Sequence, residues 1–171
     1  MAEALDPAIP GKVDALAKQV LALACDKELK LATAESCTGG LLASLLTDIP
    51  GQSHAFDRGF VTYTNPAKHQ MLGVPAELLN SPGPVSEAVA RLMAEGALAH
   101  SSAHVSASIT GFAGKGATPD EPAGLVHFAA ARCGRPTVHR VEQFGDVGRA
   151  RVRIECLRVA LEMMRSQLKM A

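Results

Sequence analysis

Residues 31–46 read Leu31-Ala32-Thr33-Ala34-Glu35-Ser36-Cys37-Thr38-Gly39-Gly40-Leu41-Leu42-Ala43-Ser44-Leu45-Leu46. The segment begins as a short apolar run compatible with a β-strand, passes through two glycines, and resumes with helical spacing of leucines. This pattern predicts a strand, a tight turn and a helix. Because the first N–H groups of a helix lack intrahelical partners, such a turn favours an anion or a developing oxyanion above the strand. We expect Ser36 at the centre of a functional site there.

The composition limits the classes of function that suit the chain. Its 171 residues are 47% hydrophobic, which suits one globular domain with a substantial core. The 17 basic and 17 acidic residues balance, so no overall field draws the chain to nucleic acid or to an anionic membrane. With no Trp, one Tyr and five Phe, it offers few aromatic platforms for stacking bases. We therefore expect a small-molecule partner, no nucleic acid and no membrane.

The cysteines and the N-terminal sequence indicate a cellular setting. The four cysteines, at positions 25, 37, 133 and 156, lack the Cys-x-x-Cys spacing and the paired Cys/His clusters of zinc sites. The N-terminal residues lack the basic and apolar regions of a signal peptide. No apolar run approaches the roughly 20 residues that span a bilayer. We expect a reduced, cytoplasmic protein that holds no metal and no cofactor.

Hydrophobic spacing predicts the remaining secondary structure and the fold class. The predicted helices cover residues 12–27, 38–47, a stretch beginning at 65, 87–100 and 148–168, and the predicted strands cover 30–34, 55–63, 105–110, 124–131 and 137–143. The last two strands are separated by a short turn, which suggests a hairpin. We predict a flexible lead over residues 1–11 and one α/β domain over 12–171. That domain would have three layers, with a mixed sheet of about five strands flanked by helices.

A serine nucleophile needs a base to accept its proton, and Lys68 is the candidate. The Gly-x-Ser-x-Gly motif of α/β-hydrolases is absent. Thr64, Asn65 and Pro66 predict a helix start that places Lys68 in the first turn, where the helix dipole and partial burial would lower the pKa of its amine. A neutral amine could take the serine proton directly or through the phenol of Tyr63. The alternative is an exposed lysine and a packed tyrosine.

Two other interpretations of residues 36 and 37 remain open. Ser36 could be a structural hydroxyl that caps the second helix, with the glycines present for close packing. Cys37 could itself be the nucleophile, with His69 as its base, as in thiol amidases.

Two further segments are candidates for ligand binding. The run Gly111-Phe112-Ala113-Gly114-Lys115-Gly116 follows a strand, and although glycine in place of Ser or Thr after the lysine excludes a Walker motif, its backbone can cradle a nucleotide. An ordinary turn is the alternative. Arg149, Arg151 and Arg153 crowd the start of the last helix, where the dipole favours acidic residues. An anionic ligand would offset that conflict; solvated surface charge is the alternative.

Four motifs, taken together, resemble a known family. They are Ala34-Glu35-Ser36-Cys37-Thr38-Gly39-Gly40; Val61-Thr62-Tyr63-Thr64-Asn65-Pro66-Ala67-Lys68 with Leu72-Gly73-Val74; Val85-Ser86-Glu87 at the start of an alanine-rich helix; and Thr110-Gly111-Phe112-Ala113-Gly114. In order and spacing they resemble the CinA C-terminal-domain family, the nicotinamide-nucleotide amidases also called PncC. The resemblance extends over about Val13 to Leu168.

The resemblance implies an activity and a set of site residues. The activity is hydrolysis of the carboxamide of nicotinamide mononucleotide to nicotinic acid mononucleotide and ammonia, within the pyridine nucleotide cycle, with no metal required. Ser36 would be the nucleophile, Lys68 the base and Tyr63 its auxiliary. The oxyanion would form near backbone N–H groups around Thr38 and Gly39. The residues implied to bind substrate are Thr38, Gly39, Gly40, Thr110, Gly111 and Gly114, with Arg149 and Arg153 for the phosphate.

The chain also departs from the family pattern. Members usually continue the Thr110 motif with proline and glycines, whereas this chain has Lys115-Gly116-Ala117-Thr118, and the family's Gly-Asp is separated here from Arg149. The chain has no room for the N-terminal domain of longer members, so it resembles the stand-alone form. We expect an amidase that can form a homo-oligomer. The alternative is a catalytically silent module of the same fold that binds a nucleotide or a partner protein.

Overall fold

The structure is a computed structural model that describes residues 9–116 and 118–170. The strands are β1 (Leu31–Glu35), β2 (Phe56–Val61), β3 (Val105–Gly111), β4 (Leu125–Arg132) and β5 (Val138–Gln143). The helices are α1 (Gly11–Asp26), α2 (Leu41–Thr47), α3 (Asn65–Leu72), α4 (Ala76–Asn80), α5 (Glu87–Ala99) and α6 (Arg149–Lys169), with a 3-10 turn at Ser53–Ala55.

The five strands form one mixed sheet in the order β2-β1-β3-β4-β5. β1 is parallel to both of its neighbours, whereas β4 is antiparallel to β3 and to β5. The three parallel strands therefore bring their carboxyl ends to one edge of the sheet. In open α/β sheets this edge is where ligands bind, at the point where chain connections leave to opposite faces.

Two layers of helices cover the sheet. One face packs against α1, α2 and α6 through the larger apolar core, which includes Leu21, Leu46 and Leu161. The other face packs against α3, α4 and α5 through a smaller core that includes Met93. The predicted three-layer α/β domain with a mixed five-stranded sheet is confirmed.

Several element boundaries differ from prediction. α2 begins at Leu41 and not at Thr38, because Gly39 and Gly40 adopt φ values of 61° and 93° that interrupt a right-handed helix. α4 was not predicted, since five residues are too few for a helical period to show. β4 and β5 pair as the predicted hairpin. The predicted lead falls mostly on residues 1–8, outside the described part of the chain.

A glycine on α5 sets the position of α3. A Cβ atom at Gly96 would overlap the carbonyl oxygen of Leu72, the last residue of α3. The absent side chain therefore lets the backbone of α5 lie directly against the end of α3. Because α3 carries Lys68, this close approach helps to fix the distance between Lys68 and the sheet.

Candidate active site

Residues 35 and 36 end β1 with side chains on opposite faces of the sheet. The ladder continues past the strand, since Ser36 N donates to Ile109 O at 3.0 Å and Thr62 N donates to Glu35 O at 2.8 Å. Successive residues of extended chain alternate between faces. Glu35 therefore lies on the face of α2, and Ser36 lies on the face of α3 and α5.

Glu35 caps α2 from within the core. Its carboxylate is fully buried and accepts hydrogen bonds from Leu42 N at 3.0 Å and Ala43 N at 2.8 Å. The alternative interpretation, in which Ser36 caps α2, is therefore wrong. The expectation that the first N–H groups of this helix would face a ligand is also wrong, because Glu35 already occupies two of them. A carboxylate in this position also complements the helix dipole.

Replacing Glu35 should destabilise the protein. In Glu35→Ala, two buried N–H donors of α2 lose their acceptor, and we expect a loss of about 2–4 kcal/mol in the free energy of unfolding. Urea unfolding followed by circular dichroism measures it. Glu28→Ala, at an exposed position on the surface, is the control and should change stability by less than about 0.5 kcal/mol. Equal stability of the two variants would contradict the capping role.

The predicted helix start brings Lys68 to Ser36. Thr64 is the N-cap of α3, and its Oγ1 accepts a hydrogen bond from Ala67 N at 3.2 Å. Lys68 then crosses over the end of β2, and its Nζ lies 3.1 Å from Ser36 Oγ. The same Nζ lies 2.8 Å from Thr62 O and 3.4 Å from Tyr63 O. The hydroxyl and the amine are therefore in hydrogen-bond contact without any group between them.

Burial makes the amine of Lys68 unusually easy to deprotonate. Only 1% of Lys68 is exposed, and none of the ion pairs among the described residues includes it. Loss of solvation disfavours the ammonium form and lowers the pKa of Lys68 from 10.5 to about 8. At pH 7 about a tenth of the side chain is thus in the neutral form that a general base requires, and this share rises to about half near pH 8.

Tyr63 lies at the site, but its phenol does not separate the pair. Its carbonyl contacts Lys68 Nζ, while 62% of the residue is exposed at the rim of the cavity. A relay through the phenol is not needed for Lys68 to reach Ser36. The auxiliary role of Tyr63 stays a prediction.

The thiol interpretation lacks the base that it requires, although Cys37 itself lines the cavity described next. Cys37 is buried, and its hydrogen bond with the Cys156 thiol of α6 lowers the pKa of Cys37. The intended base, His69, uses Nδ1 to contact Val74 O at 2.9 Å, at the end of its own helix. His69 does not line the cavity described next.

A cavity of about 290 Å³ opens over the hydroxyl–amine pair. Its walls come from the carboxyl ends of the three parallel strands, the segment before α5, the β3–β4 loop and the start of α6. The lining residues are Ser36, Cys37, Tyr63, Asn65, Lys68, Pro84, Val85, Thr110, Gly111, Phe112, Ala113, Gly114, Lys115 and Arg149. The volume is in the range that holds a small organic ligand.

The predicted site residues divide into two groups. Ser36, Lys68 and Tyr63 line the cavity with four of the predicted binding residues, which are Thr110, Gly111, Gly114 and Arg149. Thr38, Gly39, Gly40 and Arg153 do not line it.

The second group supports the turn from behind. Arg153 Nη2 donates to Thr38 O at 2.7 Å, and the side chain of Thr38 is fully buried. Gly39 N donates to Ser36 O at 3.0 Å, so this N–H group is not directed at an oxyanion. Direct binding of substrate by these residues stays a prediction that this conformation does not favour.

Among the cavity residues that were not predicted as site residues, Asn65 and Lys115 carry polar side chains that can donate hydrogen bonds. Asn65 lies three positions before Lys68, and the i, i+3 spacing of a helix could have indicated that both share one face. Lys115 belongs to the predicted glycine-rich loop, and a lysine in such a loop is itself a signal for anion binding.

Comparison with known proteins identifies the family. The model of the CinA C-terminal domain matches residues 13–168. The chain belongs to the CinA C-terminal domain family. It is 43% identical to the competence/damage inducible protein CihA from Agrobacterium tumefaciens, whose crystal structure matches with a TM-score of 0.91 over 96% of this chain and 99% of that one.

Curated CinA relatives are longer than the region they share with this chain. A putative competence-damage inducible protein from Symbiobacterium thermophilum is 53% identical over 71% of this chain and 29% of its own length. One of the same description from Caldicellulosiruptor bescii is 42% identical over 90% of this chain and 37% of its own length. The chain thus spans about a third of these relatives.

None of the helices among residues 9–116 and 118–170 is long and apolar enough to cross a membrane. Within the same residues, His, Cys, Asp and Glu side chains form no group of three or more that could hold a metal ion.

Proposed function

We propose that this CinA-family protein is an amidohydrolase that converts the carboxamide of nicotinamide mononucleotide to a carboxylate and ammonia. The observation that carries the proposal is the 3.1 Å contact between Ser36 Oγ and the buried Nζ of Lys68 at the floor of a ligand-sized cavity. A hydroxyl in contact with a base of lowered pKa is the arrangement of an activated nucleophile.

The contacts of Lys68 orient its lone pair. A neutral amine has two N–H donors, and the carbonyl oxygens of Thr62 and Tyr63 lie at distances that suit them. The lone pair is then left to accept the O–H of Ser36. Two backbone carbonyls also partly solvate the ammonium form, which lets this form exist in a buried site below about pH 8.

The reaction then runs in two halves. Ser36 Oγ attacks the amide carbon while its proton passes to Lys68, and the tetrahedral intermediate collapses as Lys68 returns that proton to the leaving nitrogen. The C–N bond breaks, ammonia departs, and the acyl group remains bound to Ser36 as an ester. Water attacks the ester, gives a proton to Lys68, and releases the carboxylate as Ser36 regains its proton.

Some of the donors first expected for the oxyanion are already engaged, so a further donor would strengthen its stabilisation. Gly39 N and the first turn of α2 are engaged by Ser36 and Glu35. Asn65 lines the cavity on the same helical face as Lys68 and carries a side-chain amide. We propose Asn65 as a donor to the oxyanion, since such donors act strongly where water is largely excluded.

The direct test is ammonia release from nicotinamide mononucleotide by the purified protein, with nicotinic acid mononucleotide identified by chromatography. The proposal expects both products in equal amounts. The silent binding module, which is the alternative, expects bound and unchanged substrate. Since Glu35 and not Ser36 caps α2, that alternative lacks the structural role it assigned to Ser36.

The pH dependence should report Lys68. Because the base must be neutral and its pKa is about 8, kcat/KM should rise about tenfold per pH unit from pH 6 and level off above about pH 8. Ammonia release at low substrate concentration, measured from pH 6 to 10, gives the profile. A flat profile between pH 6 and 9 would contradict a lysine base.

A further inference from the structure

The charged side chains that line the cavity are all basic. Among the described residues they are Lys68, Lys115 and Arg149, and neither Asp nor Glu is among the lining residues. A partly enclosed cavity whose charges have one sign attracts a ligand of the opposite sign. Lys68 contacts Ser36 at the floor of the cavity. Lys115 and Arg149 are therefore the charged residues of the lining that can bind an anionic group.

Lys115 is held only weakly in the free protein. Its Nζ lies 3.4 Å from Asp146 Oδ2, and the two side chains are 81% and 57% exposed. Such exposed pairs contribute about 0–1 kcal/mol. A phosphate offers more negative charge and three acceptor oxygens, so it competes well for a flexible lysine.

The backbone holds Lys115 and Arg149 on neighbouring walls. Gly124 N donates to Phe112 O at 2.7 Å, which closes the base of the β3–β4 loop that carries Lys115. Phe144 N in turn donates to Gly124 O at 2.9 Å, which joins that base to the segment leading into α6 and Arg149. The two basic residues are thus presented from two segments that are hydrogen-bonded to each other.

We propose that Lys115 is a specificity-determining residue that binds the phosphate of the substrate together with Arg149. The ion pair between Lys115 and Asp146 breaks when the phosphate binds. The inference rests on the proposed function and adds the determinant of phosphate selectivity. Asp146 acts as a competitor for Lys115, because it pairs with the lysine but does not line the cavity. The substrate class is therefore a nucleotide amide, and the matching nucleoside amide binds without this contact.

The test compares nicotinamide mononucleotide with nicotinamide riboside, which carries the same amide without phosphate. Phosphate selectivity is the ratio of kcat/KM for the two substrates. Lys115→Gln should lower this ratio about tenfold, because one charge-assisted contact to phosphate is lost. Lys115→Arg should retain most of it. An equal loss on both substrates, or no loss on either, would overturn the inference.

Two further variants sharpen the result. Asp146→Asn removes the competitor and should raise the ratio about two- to threefold. Lys18→Gln removes an exposed lysine that pairs with Asp14 at 2.7 Å on α1, so it is a matched control and should leave the ratio as it is. A fall in the ratio for Asp146→Asn would show that the ion pair helps to bind phosphate, which contradicts the competition.

A binding measurement separates this inference from the proposed function. Calorimetric titration with nicotinamide mononucleotide is done with Ser36→Ala as the reference protein and with the same protein carrying Lys115→Gln, so that no substrate is hydrolysed during the measurement. Tenfold weaker binding by the protein with Lys115→Gln than by the reference protein would support the inference even if the original protein releases no ammonia. Equal binding by the two proteins, or an absence of binding by both, would overturn it even if the amidase activity is present.

Discussion

Lys68→Met should lose about 10³-fold or more in kcat and at the same time become more stable at pH 7. The loss of activity is expected because methionine fills the space of the lysine but cannot accept a proton from Ser36. The gain in stability is expected because burial lowers the pKa of Lys68 from 10.5 to about 8. That shift corresponds to about 3 kcal/mol spent on burying the ammonium at neutral pH.

The sign of this stability change follows from proton binding. Between about pH 8 and 10.5 the unfolded chain holds the lysine proton and the folded chain does not, so the stability of the original protein rises with pH in that range. The advantage of Lys68→Met should therefore be largest below pH 8 and decline towards pH 10.5. Loss of the donors to Thr62 O and Tyr63 O offsets about 1–3 kcal/mol of it, which leaves a gain of about 0–2 kcal/mol.

Urea unfolding at pH 7 and pH 10, together with ammonia release, measures both effects. Lys18→Met is the matched control, since Lys18 is 58% exposed and remote from the cavity. That control should change stability by less than about 0.5 kcal/mol at either pH. If Lys68→Met retained turnover, Lys68 would not be the base. If Lys68→Met were less stable than the original protein at pH 7, burial of the Lys68 ammonium would not destabilise the folded protein.

Ser36→Ala should lower kcat about 10⁴-fold or more while the affinity for nicotinamide mononucleotide changes little. Removing a nucleophile from a unit that acts together abolishes the covalent pathway and leaves only binding and electrostatic effects. Ser36 is only 8% exposed and contributes a small side chain to the cavity wall, so its contribution to binding is small. Ammonia release gives the loss of turnover, and calorimetric titration gives the affinity.

Cys37→Ala is the matched control for the neighbouring side chain. It removes the thiol with which Cys156 forms a hydrogen bond and should reduce kcat by less than about tenfold. The opposite pattern, in which activity survives Ser36→Ala and is lost in Cys37→Ala, would assign the nucleophile to the thiol. Wild-type turnover in Ser36→Ala and in Cys37→Ala would exclude both residues.

The pairing of residues 36 and 68 could be predicted because local signals place each of them. A strand followed by two glycines positions Ser36, and the Thr-Asn-Pro start of a helix positions Lys68 one turn beyond the next strand. Parallel strands bring such loops to one edge of the sheet, which completes the pairing.

What could not be predicted depends on packing between distant segments. Glu35 and Ser36 are adjacent polar residues at a strand end, and only the face that each occupies shows which caps α2 and which enters the cavity. The position of Arg153 at the start of a helix predicts a ligand-binding residue, but α6 packs against the turn and the Arg153 guanidinium donates to Thr38 O. Periodicity within one helix carries no information about such contacts.

The close approach of Gly96 to Leu72 means that the contact between Ser36 and Lys68 depends on a residue that does not line the cavity. Bulk at that point would tilt the lysine-bearing helix outwards and widen the gap to the hydroxyl. In homologous chains, a serine and a lysine at these two positions are therefore not enough to preserve the contact. The residue at the position of Gly96 also has to be small.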